Sequence, residues 1–337
     1  MRERLHERDE AQHLTPWCQQ QQAVPPQKAD AGFRTSVSMS AVDRPKDERL
    51  PDTANEALAP LFAGRLLTPH YSAAQKLSRK GSRFIARNLR TKSVSMCNSA
   101  PLVTFTFDDV PVSAAEVGAA ILEREGVLAT FYIAGAGCGA MSPNGRLAAV
   151  HELRGLARRG HEIGCHTFTH PAVSTIDTCA LAAEIERNGG FLKANIGVAP
   201  VNFAFPYGDI SFRTKRYLET RFDSCRCNLR GVNTTTLDLG ALRSYELDNA
   251  SINRAQIVSL IYETVKSNGW LIFCGHAVER NASRFSVTPE LLAFTVAAAK
   301  AEGCQPVTIA TGLKIVRASE KARGPIDRAI DGAGDPS

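Results

Sequence analysis

Four short blocks of the chain pair titratable or metal-binding side chains with spacings that can bring them together. Thr104-Phe105-Thr106-Phe107-Asp108-Asp109 ends a short apolar run in two adjacent carboxylates. Successive side chains diverge, and like charges held close resist joint ionisation. One carboxylate on a metal and the other free as a base is therefore a natural division of labour. A solvated Asp-Asp turn that helps to cap the next helix would use the same residues without chemistry. His166-Thr167-Phe168-Thr169-His170 supplies two imidazoles four residues apart. Coiled into a helical turn, both would reach one cation. Two His and one Asp leave a coordination position open to water, which is the catalytic rather than the structural pattern. His276 ends the run Trp270-Leu271-Ile272-Phe273-Cys274-Gly275; such a His is either a satisfied core residue or a proton donor aimed into a cleft. Phe205-Pro206-Tyr207-Gly208 closes another run in a tight turn, and a backbone N–H there can stabilise an oxyanion, although a plain turn has the same composition.

These blocks need elements that hold them on one side of a fold. Apolar, β-branched runs at Leu102–Phe107, Val127–Ile133, His161–Cys165, Val201–Phe205, Phe222–Arg226, Leu242–Leu247, Trp270–Cys274 and Pro306–Ile309 read as strands. Helical patterns at Ser113–Arg124, Leu147–Arg159, Asp177–Ile196, Phe212–Thr220, Asn253–Ser267 and Thr288–Ala301 alternate with them. Strands alternating with helices of this length imply parallel βαβ units, and this many units in one domain favour a (β/α) barrel over an open sheet. A barrel gathers its site at the C-terminal ends of its strands, and each polar block does follow an apolar run.

The flanks differ in texture. Residues 1–58 are rich in Gln, Pro and charge with few aliphatics, as in a disordered tail. Residues 59–99 read as a basic helical linker or arm, in which Leu77, Phe84, Ile85 and Leu89 recur at near-helical spacing; 100–315 reads as the one domain that holds all four blocks and would be the catalytic domain if they do chemistry, and 316–337 as a flexible tail. The net charge of +6 is concentrated: 61–97 contains eight Lys or Arg and no acid, which makes it a candidate to contact an anionic surface. No nucleic-acid fold is recognisable. No apolar stretch reaches the roughly eighteen residues of a membrane span, and the first 22 residues carry no leader-like apolar run, so the cytoplasm is the expected compartment. Nine scattered cysteines, an odd number, read as buried small hydrophobes rather than a disulfide framework.

Taken in order, the blocks resemble the polysaccharide deacetylase family, also called the NodB-homology domain or carbohydrate esterase family four. Thr106-Phe107-Asp108-Asp109 is similar to its first block, Gly160-His161-Glu162-Ile163-Gly164-Cys165-His166-Thr167-Phe168-Thr169-His170 to its second, Phe205-Pro206-Tyr207-Gly208 to its third, and Leu271-Ile272-Phe273-Cys274-Gly275-His276 to its last. The resemblance spans Pro101 to Ile309. It implies a distorted (β/α) barrel of about seven parallel strands and hydrolysis of an acetamide on an N-acetylated carbohydrate. By family roles Asp108 is the base, Asp109, His166 and His170 hold one divalent ion, His276 is the acid, Pro206 and Tyr207 contact substrate through the turn, and His161 is structural. Zn²⁺ is the expected ion; Co²⁺, Ni²⁺ and Mn²⁺ also suit these ligands.

Three departures stand out. Val110-Pro111 replaces the usual Gly after the first block, Ala204 stands where the family has an Arg that orients the base, and the usual Asp-Trp block is not recognisable. Arg226 and Arg243, near the ends of later strands, are the candidates to replace that Arg. The alternatives are hydrolysis of another non-peptide C–N bond or an acetyl ester, or a decayed site that only binds carbohydrate.

Overall fold

A computed structural model describes residues 73–282 and 285–322. The expected tail at 1–58, the beginning of the basic arm and the end of the chain from 323 lie outside them.

Eight strands form the main sheet: β1 (Leu102–Asp108), β2 (Thr130–Ile133), β3 (Glu162–Cys165), β4 (Asn202–Ala204), β5 (Ser224–Arg226), β6 (Tyr245–Glu246), β7 (Trp270–Gly275) and β8 (Gln305–Pro306). Their order is β6-β7-β1-β2-β3-β4-β5, parallel throughout. β8 adds to the start of β1, at Leu102 and Val103, while β2 pairs further along, from Thr106 to Asp108. The two ends of this order approach one another through the segment leading into β6. Leu242 donates to the Cys225 carbonyl at 2.8 Å and accepts from Cys227 N–H at 2.9 Å, so the sheet curls into a distorted barrel.

Every residue of β1 and β7 is buried, which is why these strands read as continuous apolar runs rather than alternating ones. Alternation nevertheless sorts their two faces. Leu102, Trp270, Ile272, Tyr132, Ala204 and Leu242 form one cluster inside the curled sheet. The aromatic rings of the intervening positions stack on the other face, Phe105 on Phe273 and Phe107 on Phe131. Thr104 lies on the inner face and accepts from the Trp270 indole at 2.9 Å, and Thr106, Asp108, Cys274 and His276 continue that face towards the strand ends. Gly164 in β3 has no side chain for a steric reason: a Cβ there would stand 2.4 Å from the Tyr132 ring.

The helices are α1 (Ala73–Asn88), α2 (Ala119–Arg124), α3 (Val150–Arg158), α4 (Thr178–Ile196), α5 (Phe212–Leu218), α6 (Arg254–Lys266), α7 (Pro289–Ala301) and α8 (Ile309–Ala322). Side-chain caps set several starts: Asp177 accepts from Ala180 N–H at 2.8 Å and Asn253 from Gln256 N–H at 3.0 Å. Gly197, at φ 84°, closes α4 in the left-handed conformation.

Two expectations about the flanks need correction. The arm is part of the domain rather than a linker. Val94 is buried in the cluster around Leu102 and Trp270 and Ala86 in another around Phe203 and Phe205, and Ser93–Ser95 pairs antiparallel with Thr236–Asp238. Lys215, fully buried, donates to the Ala86 carbonyl at 2.9 Å, to that of Leu89, and to the Asp238 carboxylate, so the end of α1 is capped from within the barrel wall. At the other end the chain does not become a tail at 316, nor does the last strand reach Ile309. β8 ends at Pro306 and α8 runs to Ala322, with Leu313 and Val316 buried. Gly312 is what lets α8 lie close: a Cβ there would stand 2.4 Å from the Trp270 indole. Among the described residues no helix is long and apolar enough to cross a membrane.

Candidate active site

β1 delivers Asp108 while still extended, and the chain then breaks sharply. Asp109 (φ 60°) and Val110 (φ 56°) both adopt left-handed backbone, a conformation costly for Val. The kink separates the two carboxylates. Asp108 stays on the inner face, 4% exposed, while Asp109 turns towards the loop after β3.

That loop is not the helical turn that the spacing of His166 and His170 suggests. Thr167 and His170 both have positive φ, 63° and 59°, and no helix is formed there. The loop is held from α4 instead: the Glu184 carboxylate accepts from Phe168 N–H at 2.9 Å, Thr169 N–H at 2.7 Å and the Thr169 hydroxyl at 2.8 Å. The two imidazoles still converge, with His166 Nε2 and His170 Nε2 3.2 Å apart and Asp109 Oδ1 3.4 Å from the latter.

Asp109, His166 and His170 each present a ligand atom, all within 4.8 Å of one another. Two further features fit a divalent cation. Asp109 Oδ1 is buried and has no hydrogen-bond partner among the described residues. His166 Nδ1 lies 2.8 Å from the Ala204 carbonyl, which can only accept, so Nδ1 carries the proton and Nε2 presents a lone pair to the cluster. Burial pushes the His166 imidazole down to about 4, against the pull of Asp108 and Asp109, so it is neutral at physiological pH as a ligand must be. Ala204 thus contributes its backbone where the family's Arg would contribute a side chain.

The charge missing at Ala204 comes from the next strand. Arg226, fully buried at the end of β5, forms an ion pair with Asp108 Oδ2. Its other donor Nη1 reaches Asn228 Oδ1 at 2.8 Å, and its guanidinium carbon sits 5.3 Å from the Tyr132 ring centroid. Of the two candidate replacements, Arg243 is directed elsewhere, to the Arg230 carbonyl at 3.0 Å. Burial alone would raise the Asp108 carboxyl, but the Arg226 guanidinium foremost outweighs that and holds it at about 2. Asp108 is therefore ionised, with Oδ2 fixed by Arg226. Its Oδ1 is buried and unpartnered among the described residues.

One contact to Asp108 was not visible in the sequence. The Cys274 thiol donates to Oδ2 at 3.4 Å. Cys274 is buried, as the reading of the cysteines as small hydrophobes expects, and so are Cys165, Cys225, Cys227 and Cys304; Cys97 and Cys138 are only half-buried and Cys179 is exposed, against that reading, and all eight described cysteines are free. The available signal was positional: Cys274 lies two residues before His276 and pairs in register with Thr106, which lies two before Asp108.

His276 is half-buried at the tip of β7, with its ring 5.7 Å from that of Phe285. The Pro206–Gly208 turn follows β4, with Pro206 buried and Tyr207 at φ 58°. The Tyr207 ring packs edge-on to His170 at 4.5 Å yet remains 61% exposed, so it forms one wall of the Asp109–His166–His170 cluster and faces solvent. His161 lies away from the cluster. Its Nδ1 accepts from Ala129 N–H at 3.0 Å and its Nε2 donates to Glu123 Oε1 at 2.8 Å, which ties β3 to the barrel wall.

Comparison with known proteins shows what the chain is similar to. Residues 95–221 match the family model described as polysaccharide deacetylase. A chitin deacetylase from Pestalotiopsis sp is 24% identical over 260 residues, 76% of this chain and 76% of that protein. A chitin deacetylase from Colletotrichum lindemuthianum is 24% identical over 199 residues, 52% of this chain and 79% of that protein. The solved structure of the chitin deacetylase from the fungal pathogen Colletotrichum lindemuthianum superposes with a TM-score of 0.46 at 19% identity, covering 64% of this chain and 89% of that chain.

Proposed function

From the premise that this chain belongs to the polysaccharide deacetylase family, we propose that it hydrolyses the N-acetyl amide of an amino-sugar polymer or oligomer to acetate and a free amine. The observation that carries this reading is the pairing of two functions at one strand end. Asp109, His166 and His170 converge as a ligand set, and beside them Asp108 is ionised, anchored through one oxygen and free at the other.

Asp109, His166 and His170 would hold one divalent cation, Zn²⁺ being our assignment. Such an ion, when bound, polarises the acetamide carbonyl and makes an adjacent water more acidic. The chain's own residues divide the remaining work. Asp108 Oδ1 accepts the proton from the attacking water, while Arg226 fixes the carboxylate rotamer and keeps it ionised. The Tyr207 amide N–H serves the developing oxyanion, a role whose loss typically costs about a hundred- to a thousandfold in rate. His276 delivers a proton to the departing nitrogen, so the C–N bond breaks to a neutral amine. Pro206 fixes the turn that aims Tyr207.

A decayed carbohydrate-binding site is the less economical reading. The arginine absent at Ala204 is replaced in charge and in contact by Arg226, and a site that only binds sugar has no need of a buried, charge-paired base. The test is acetate release from N-acetylglucosamine oligomers by purified protein, before chelation, after it, and after metal is restored. Release that chelator abolishes and metal restores supports deacetylation. Release only from O-acetylated sugars would make the protein an esterase, and none from either would return it to a binding role.

A further inference from the structure

The deacetylase site uses the strand ends and leaves the outward face of α1 without a role. Phe84 is 69% exposed, Ile85 44% and Leu89 48%. At about 100° per residue Phe84 lies opposite the Ser82–Ala86 side and Ile85 on the adjoining flank, whereas Leu89, just past the end of α1 and donating to the Ile85 carbonyl at 2.8 Å, lies towards Ser82. The side of α1 that faces the barrel is already occupied. Ala86 is buried in the core, and the Ser82 hydroxyl accepts from Phe212 N–H at 3.1 Å. Phe84 therefore points away from the domain, and Ile85 extends this exposed apolar strip along one flank. Lys80, Arg87 and Arg90 are exposed alongside it, within the 61–97 segment that holds eight Lys or Arg and no acid.

We propose that α1 is an interfacial anchor that docks the protein on an anionic phospholipid bilayer. Phe84 and Ile85 enter the boundary between headgroups and acyl chains, and Lys80, Arg87 and Arg90 meet the lipid phosphates. Each half of the face demands something different, and this occupant supplies both. A nucleic acid would neutralise the cations but leave the apolar stripe in water, and a neutral apolar partner would bury the stripe but leave the cations unmatched. A helix with an aromatic and aliphatic stripe beside an all-basic flank, lying in the plane of the interface, gains from burial and from the negative surface potential together. Leu61, Phe62, Leu66 and Leu67 with Arg65 continue the same composition upstream in the sequence, and they are the competing occupant of the stripe. The inference rests on this face alone and stands apart from the assignment of the reaction.

The test is flotation of the full chain with vesicles of phosphatidylcholine and phosphatidylglycerol, against vesicles of phosphatidylcholine alone. The protein floats with the anionic vesicles only, and added salt releases it. Phe84→Ser with Ile85→Ser, and separately Arg87→Glu with Arg90→Glu, each lower the bound fraction by about tenfold or more. Both variants melt and release acetate from soluble oligomers as the wild type does, because none of these side chains enters the core or the site. Failure to float with anionic vesicles, as when residues 61–67 cover the stripe, overturns the proposal. So does equal flotation with phosphatidylcholine alone. Apolar-stripe variants that float like the wild type, with release by competing RNA, would make this a nucleic-acid surface and also overturn it.

Discussion

Arg226 at the end of β5 and Asp108 at the end of β1 form a buried ion pair across the barrel, although the residue in the position where the family places its arginine is Ala204. The same carboxylate can be reached from a neighbouring strand because inward positions at one barrel level face a common space. Arg226→Met removes the charge and keeps much of the apolar bulk. Left buried and unpaired, Asp108 takes up a proton more readily, so its acidity falls. Because the base must be ionised, the acid limb of the pH–rate profile moves up and turnover at neutral pH falls. Metal content is unchanged. Removing one partner of a buried pair also costs about 3–5 kcal/mol, so the melting temperature, measured in parallel, falls as well. An unaltered profile would mean that Asp108 is held by the metal cluster alone.

Asp108→Asn separates chemistry from architecture. The amide can still hydrogen-bond Arg226 but cannot accept the proton, and turnover drops by roughly a hundred- to ten-thousandfold. The variant binds metal in the same amount as the wild type, as elemental analysis would report. Activity close to wild type would remove Asp108 as the base.

His166→Ala and His170→Ala delete ligands without touching the wall of the barrel. Each variant stays folded by circular dichroism and loses bound metal, and the double variant carries none. His166→Ala costs more stability than His170→Ala, because it also leaves the buried Ala204 carbonyl without its donor. Full occupancy in the double variant would contradict the ligand set.

The Cys274 thiol is a smaller contributor to the same carboxylate. Cys274→Ser retains a donor at that position and keeps turnover near wild type. Cys274→Val loses the donor and lowers it by about five- to tenfold, the equivalent of one net hydrogen bond of about 1 kcal/mol. Equal loss in both variants would assign the effect to packing instead.

His161 gives a pH signature in stability rather than in rate. Burial pushes its imidazole below the ordinary 6.5, with the Glu123 contact opposing. Both ring nitrogens are spoken for in the neutral form, since Nδ1 accepts the Ala129 N–H. Protonation would place a hydrogen against that donor. The unfolded chain therefore binds more protons just below the ordinary value, and stability falls as pH falls through it. Glu123, held below its ordinary carboxylate range against the effect of burial by His161 and Arg159, adds a loss in the same direction at more acidic pH. In melts from about pH 7 to about pH 5, the advantage of wild type over His161→Phe shrinks as the pH is lowered. A constant difference would contradict this account.

What the sequence made legible follows from which signals are local. The strand ends were visible because β1 and β7 are buried on both faces and end in polar residues, so Asp108 and His276 announce themselves. The convergence of Asp109, His166 and His170 is expected from residue type and order. The geometry joining His166 to His170 is not, because it depends on left-handed backbone at Thr167 and His170 and on Glu184 reaching in from α4. Arg226 could be narrowed to one of two, but choosing between it and Arg243 required knowing which side chain points into the barrel. The attachment of the arm and of α8 is not legible in the sequence for a related reason. Their attachment runs through single long-range contacts, Lys215 under the end of α1 and Gly312 against Trp270, which leave no periodic trace.

The central claim is that the residues at these strand ends form one hydrolytic site for an N-acetyl amide. Its most direct measurement is the paired assay of acetate and free amine released from a chitin oligomer, by metal-loaded wild type and by metal-loaded Asp108→Asn. The account predicts equimolar acetate and amine from the wild type and neither above background from the variant. Acetate without amine, or equal product from both proteins, would contradict it.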